Sequence, residues 1–313
     1  MIVLYISIGA FAFLALAFLL LSYFAYRKTF FADRTKKRDP YSGIDKKGYK
    51  PYEPRLRALI DNIISLPYEK IEITSRDGLR LSARYYHVRN GAPLEIQCHG
   101  YRSTSLRDFA GSGEECFKRQ YNLLLIDQRA HGESEGKTIT FGIKERFDVI
   151  DWIDYSIKRF GDDLKIVLYG ISMGGATVLM AAGQHLPENV KCVIADSPYS
   201  SPLEIIKKVG AEKGIPKLLV GVLAIVGARI FGGFSLTADS PLLAVKRANV
   251  PILLMHGESD TFVPDCMSDA IYNSNPKIKL EKFPQAEHAA CYLSETERYL
   301  AIADGFVDDA LKE

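Results

Sequence analysis

The chain has 313 residues, 47% of them hydrophobic, with a formal net charge of +2. That is enough apolar material for one large α/β domain or two small ones, and it argues against a disordered chain or a repeat array. The small net charge hides an asymmetry: residues 1–26 carry no charged side chain and residues 27–50 carry nine Lys/Arg against three Asp, so the remainder is mildly acidic and offers no basic face for nucleic acid.

The run from Ile2 to Tyr26 is apolar throughout. As a helix rising about 1.5 Å per residue it would extend roughly 38 Å, more than the ~30 Å hydrocarbon core of a bilayer. A transmembrane anchor is expected over residues 1–26, preferred to a cleaved signal peptide because a basic leading region and an A-x-A site are both missing. Tyr23 and Tyr26 are expected at the interface, followed by Arg27, Lys28, Arg34, Lys36, Lys37 and Arg38. Positive residues stay inside, so the expected protein is single-pass in the cell membrane, N-terminus out, with a cytoplasmic catalytic domain. Residues 27–54, polar and basic with Pro40, Pro51 and Pro54, read as a juxtamembrane linker. The five cysteines are dispersed, with no C-x-x-C and no zinc spacing, which fits a reducing compartment and gives no metal site.

Leu56, Leu59, Ile60, Ile63 and Ile64 recur at helical spacing up to Pro67, one amphipathic helix whose stripe is expected to pack on the domain, with a membrane-surface role as the alternative. Ile71 to Thr74 and Leu79 to Tyr86 flank Arg76-Asp77-Gly78 as an antiparallel hairpin. Short strands come next at Leu94 to Cys98, Asn122 to Ile126, Lys165 to Tyr169, Val190 to Ala195, Ile252 to Met255 and Ile278 to Phe283, separated by helical stretches. Such alternation predicts parallel β-α-β units with functional loops at the carboxyl ends of the strands. It breaks once, between Ala195 and Val250, where the chain is too long for a bare loop and reads as a cap insertion over about residues 198–245. Within it, Leu218 to Ala228 is uncharged and apolar: a buried helix, or a lid lining an acyl pocket.

Gly170-Ile171-Ser172-Met173-Gly174 lies directly between an apolar strand and a helix-forming run. A serine hydroxyl needs exposure, a base and oxyanion donors to act as a nucleophile, and a sharp strand-to-helix turn supplies the first and last of these. Asp260 comes after the strand Ile252 to Met255, and His288 after the next strand. Serine, aspartate and histidine in that order, each past a strand end, predict a triad in which His288 is the base and Asp260 orients it. Asp196 also lies just past a strand and is the alternative acid. The backbone N–H groups of Met173 and Tyr101 are expected to form the oxyanion hole. His99 and His131 read as structural residues of supporting loops.

The set His99-Gly100-Tyr101, Asp127-x-Arg129-x-His131-Gly132-x-Ser134, Gly170-x-Ser172-x-Gly174-Gly175, His256-Gly257-x-x-Asp260 and His288 resembles the α/β-hydrolase superfamily, in its lysophospholipase and serine-aminopeptidase-like branch, over roughly residues 68–310. The resemblance implies an α/β-hydrolase fold, with a mostly parallel sheet and a cap after the sixth strand, over residues 55–313, and a serine hydrolase without metal or other cofactor. The expected activity is hydrolysis of carboxylic esters, with acyl or lipid-like substrates favoured. Amide, peptide or thioester hydrolysis on the same triad is the alternative, and a non-catalytic anchored scaffold the remote one.

Overall fold

The computed structural model describes residues 1–33, 35, 39–45 and 48–312. The N-terminal run forms helix α1 (Ile2–Thr29), long and apolar enough to cross a membrane. Through Leu16 it is exposed on all sides, whereas Ser22 and Tyr26, one turn apart, are buried against the domain.

The segment after α1 is not a free linker, and the reading of residues 27–54 is corrected here. Phe30 is fully buried, the Ile139 N–H donates to the Phe30 carbonyl (2.7 Å), and the Ala32 N–H donates to the Lys137 carbonyl (2.9 Å). The Tyr26 and Thr138 hydroxyls are 2.8 Å apart, and Ile44 is buried further on. Scattered apolar anchors in a polar, basic stretch have no periodicity, so composition conceals their burial. Arg34, Lys36, Lys37, Arg38, Lys46 and Lys47 lie outside the described residues.

Helix α2 (Glu53–Ser65) buries Leu56, Leu59, Ile60 and Ile63 against the domain, as its stripe predicts. The hairpin strands β1 (Glu69–Thr74) and β2 (Arg80–Tyr86) come next, with Gly78 at φ 87° in the turn, a conformation glycine adopts without strain. The rest alternates: β3 (Leu94–Cys98), α3 (Ser105–Asp108), α4 (Ala110–Lys118), β4 (Asn122–Ile126), α5 (Glu145–Phe160), β5 (Ile166–Ile171), α6 (Met173–Ala182) and β6 (Val190–Asp196). Helices α7 (Pro202–Ala211), α8 (Lys217–Ile230) and α9 (Pro241–Ala244) fill the long connection. The chain closes with β7 (Ile252–Gly257), α10 (Cys266–Tyr272), β8 (Ile278–Phe283), α11 (Cys291–Ser294) and α12 (Thr296–Lys312).

Among the described residues the strands form one eight-stranded sheet in the order β1-β2-β4-β3-β5-β6-β7-β8. β2 is antiparallel to both β1 and β4, and every other pairing is parallel. Side chains alternate between two cores: Ile166 and Leu168 of β5 join Trp152 and Leu179 on one face, Val167 and Tyr169 join Phe109 and Tyr299 on the other. From β3 the chain steps outward to β4 and then crosses back to β5 on the other side. At such a switch point the loops leaving neighbouring strands diverge and open a crevice. Ser172 stands at its edge.

Candidate active site

β5 ends in a turn whose tightness the glycines explain. A Cβ on Gly170 would lie 2.2 Å from the Gly174 carbonyl oxygen, and one on Gly174 would lie 1.7 Å from that of Cys98. Without side chains at both, α6 can start directly on the strand end. The cost falls on Ser172, held at φ 57° and ψ −116°, a region that side-chain-bearing residues rarely occupy and that marks functional turns.

His288, in the loop after β8, has its Nε2 2.8 Å from Ser172 Oγ and its Nδ1 2.6 Å from Asp260 Oδ2. A carboxylate can only accept, so Nδ1 carries the proton and Nε2 accepts the serine hydroxyl. Asp260 is itself fixed: its Oδ1 accepts the N–H groups of Phe262 (2.9 Å) and Val263 (2.8 Å), and His256 Nε2 lies 3.3 Å from its Oδ2. Burial pushes this carboxyl up, but the hydrogen bonds from His256, His288 and the Val263 N–H outweigh it and hold Asp260 well below the usual carboxylate range. The ring of Phe262 packs edge-on against His288 at 5.0 Å.

The structure sends Asp196 elsewhere. It accepts hydrogen bonds from the hydroxyls of Ser197 (2.8 Å) and Tyr299 (3.2 Å), and its backbone carbonyl accepts the Ser172 N–H (2.8 Å). Burial pushes its carboxyl up, and these hydroxyls only partly offset that. One aspartate is held ionised on the imidazole while the other backs the nucleophile turn from a site that disfavours charge.

Met173 is the first residue of α6, where backbone N–H groups have no intrahelical acceptor. Tyr101 sits on the loop leaving β3, whose Gly100 comes so close that a Cβ there would be 3.4 Å from the Ser172 Cβ. Asp108 clasps this loop, accepting the Gly100 N–H (2.7 Å) and the Ser103 hydroxyl (2.5 Å). His131 accepts the Arg102 N–H on Nε2 (3.0 Å) and donates from Nδ1 to the Arg129 carbonyl (3.0 Å). His99 does the same between the Gln128 N–H (3.2 Å) and the Gly100 carbonyl (2.9 Å), and burial pushes its pKa down. Both histidines bracket the loop. Its far side is tied to the end of α1: the Tyr101 hydroxyl donates to the Thr29 carbonyl (2.6 Å), and the Arg102 guanidinium donates to the carbonyls of Lys28 (2.9 Å) and Phe31 (3.0 Å).

A groove of about 570 Å³ opens onto Ser172 and His288, walled by Tyr49, Tyr101, Arg107, Ile171, Phe262 and the segment around Ser42 and Gly43. None of its lining residues comes from α8, and Leu218, Leu219, Val222 and Ile225 are exposed, so both expectations for Leu218 to Ala228, a buried helix and a lid lining an acyl pocket, are corrected. Sequence reasoning quoted His256 without giving it a role and passed over Asp108 and Phe262. The first stands in the His256-Gly257-x-x-Asp260 pattern, where a second histidine four residues from the aspartate was the available signal. The other two have no local signal.

A family model described as the alpha/beta hydrolase fold matches residues 96–213. An uncharacterized protein of Bacillus subtilis, YqkD, is 27% identical over 192 residues, which span 60% of this chain and 63% of that one. The uncharacterized membrane protein YNL320W of Saccharomyces cerevisiae is 24% identical over 236 residues, 71% of this chain and 74% of that one. Among solved structures, the esterase Pf2001 of Pyrococcus furiosus superposes with a TM-score of 0.62 at 24% identity, covering 79% of this chain and 93% of that one. With its sheet order, its strand-to-helix turn at Ser172 and these likenesses in agreement, the chain has the α/β-hydrolase fold.

Proposed function

We propose that the chain is a membrane-anchored serine hydrolase of carboxylic esters, favouring hydrophobic acyl or lipid-like substrates. The observation that carries this reading is the continuous hydrogen-bonded chain from Ser172 through His288 to Asp260, at 2.8 and 2.6 Å, beside an open groove. His288 Nε2 takes the hydroxyl proton as Ser172 Oγ attacks the ester carbonyl carbon. Asp260 keeps the ring in that tautomer and stabilises the imidazolium. The N–H groups of Met173 and Tyr101 receive the negative charge that develops on the carbonyl oxygen. Collapse expels the alcohol with the proton from His288, leaving an acyl group on Ser172, and a water activated by the same imidazole releases the acid. Asp260 rather than Asp196 is the acid in this scheme.

The anchor is α1, the membrane the cell membrane, and the hydrolase domain cytoplasmic, since Arg27 and Lys28 close the apolar run. The esterase name of the Pyrococcus structure and the membrane-protein name of the yeast relative support the two halves of the reading. The test is fluorophosphonate labelling of the detergent-solubilised protein, wild type against Ser172→Ala, with the adduct located by mass spectrometry. Modification of Ser172, lost in the variant, is expected. Folded protein that never labels, and turns over no p-nitrophenyl ester of any chain length, would refute it.

A further inference from the structure

Helix α8 is built inside out. Its buried positions are Gly221, Ala224, Gly227 and Ala228, while Leu218, Leu219, Val222, Ile225 and Ile230 are exposed, Leu218 at 78%. A helix on the surface of a soluble domain turns its large apolar side chains inward, because that burial is what stabilises it. Here the small residues face inward and let backbones come close, as in helices packed within lipid. Gly221 faces Lys207 of α7, whereas Gly227 faces α1: a Cβ on Gly227 would lie 2.7 Å from the Ser22 carbonyl oxygen and 3.3 Å from the Tyr26 Cβ, and the Tyr23 and Phe231 rings meet at 5.1 Å.

Length decides where this packing falls relative to a bilayer. Only residues 2–16 of α1 stand wholly clear of the domain, since Ala17 and Phe18 are half-buried and Ser22 is buried. Fifteen residues rise about 22 Å, short of the ~30 Å hydrocarbon core. To span it, α1 must draw its next five or six residues, up to Ser22, into the membrane, and Ser22 is where Gly227 of α8 packs against it. α8 adjoins α1 where the Tyr23 and Phe231 rings meet, and its charges, Lys217 and Arg229, lie at its two ends on stems long enough to reach phosphates.

We propose that α8 is a second membrane-contacting element, its Leu218, Val222 and Ile225 face seated in the outer hydrocarbon of the leaflet that α1 leaves. The inference rests on the reading of α1 as a membrane span. It holds the hydrolase domain in one orientation on the bilayer, with the groove opening beside the end of α1, where Tyr101 meets Thr29. A substrate dissolved in the leaflet would then reach Ser172 without crossing bulk water.

The test uses the full chain with the exposed Cys266 replaced by serine, reconstituted in phosphatidylcholine vesicles. Single cysteines at Val222, at Phe11 in α1 and at the exposed Glu188, at the opposite end of the sheet, carry an environment-sensitive fluorophore. Lipids brominated near the top and, separately, near the end of their acyl chains serve as quenchers, the shallow one reporting on 222 and the deep one on 11. The expected result is a blue shift and loss of emission at 222 and at 11, with no change at 188. Quenching at 11 but not at 222 overturns the proposal and leaves the anchor standing. A blue shift at 222 without quenching overturns it in favour of a protein partner, a second copy included. An unquenched label at 11 removes the anchor and the proposal with it.

Discussion

Replacing Asp260 by asparagine is the most incisive perturbation, because each of its carboxylate oxygens faces only donors. Oδ1 receives the Phe262 and Val263 N–H groups, and Oδ2 receives His288 Nδ1 and, more distantly, His256 Nε2. An asparagine has one accepting oxygen. If that oxygen keeps the two backbone N–H groups, its NH₂ faces His288 and forces the imidazole to accept on Nδ1, leaving a proton on Nε2 where the Ser172 hydroxyl needs an acceptor. If it turns the other way, two backbone donors confront its NH₂. The first arrangement strands fewer groups, so the wrong tautomer is expected and turnover falls about 1,000- to 10,000-fold. That corresponds to about 4–5.5 kcal/mol of lost transition-state stabilisation. Asp196→Asn is the internal control. Asp196 accepts from the Ser197 and Tyr299 hydroxyls, which can rotate to suit an amide, so kcat should stay within about tenfold of wild type. The assay is kcat/KM on a p-nitrophenyl ester beside the rate of fluorophosphonate labelling, with circular dichroism to confirm that both variants fold. A collapse in Asp196→Asn together with a mild effect in Asp260→Asn would refute the assignment of the acid.

Burial lifts the Glu95 carboxyl to about 7, so the folded state binds its proton more tightly than the unfolded one. Its stabilising contribution is complete below the unfolded carboxylate value and lost as pH rises through about 7, a change of about 3 kcal/mol. Glu95→Gln should abolish that slope and be the more stable protein at alkaline pH, since its amide can also donate to the buried Gln97 Oε1, which has no partner among the described residues; denaturation midpoints across pH 5–8 that parallel wild type would contradict this. Tyr101→Phe keeps the backbone N–H but cuts the hydroxyl's bond to Thr29, so about 1 kcal/mol of stability should go. A displaced oxyanion donor should lower kcat about three- to tenfold with little change in KM, and an unaltered kcat would show that the bond does not position the loop.

The fold was legible because short apolar runs bounded by turns recur along the chain, and each strand of the eight-stranded sheet lies within two residues of its expected ends, β1 starting two earlier at Glu69. That Ser172, Asp260 and His288 would meet was legible because each comes after a strand in the order that brings strand ends to one rim. Contacts between remote segments were not. That Phe30 and Ile44 are buried, or that Asp108 reaches back to Gly100, depends on which surfaces meet after folding, and no local period encodes it. Helix α8 shows the limit most plainly: its apolar run was visible, but its direction of facing is set by Gly221 and Gly227, which read locally as mere interruptions.

The bonds from Tyr101 and Arg102 to the carbonyls at the end of α1 bear on how such a protein is prepared for study. Trimming a hydrophobic helix to obtain soluble material is ordinarily neutral surgery, because the anchor is only a tether. Here a cut after Phe31 would take away three acceptors from the loop that fronts Ser172, together with the Phe30 side chain and the strand-like pairing to Ile139. A weak or inactive truncated sample is therefore expected to report a damaged site wall, and the chain with its helix in place is the one on which the proposed activity is to be measured.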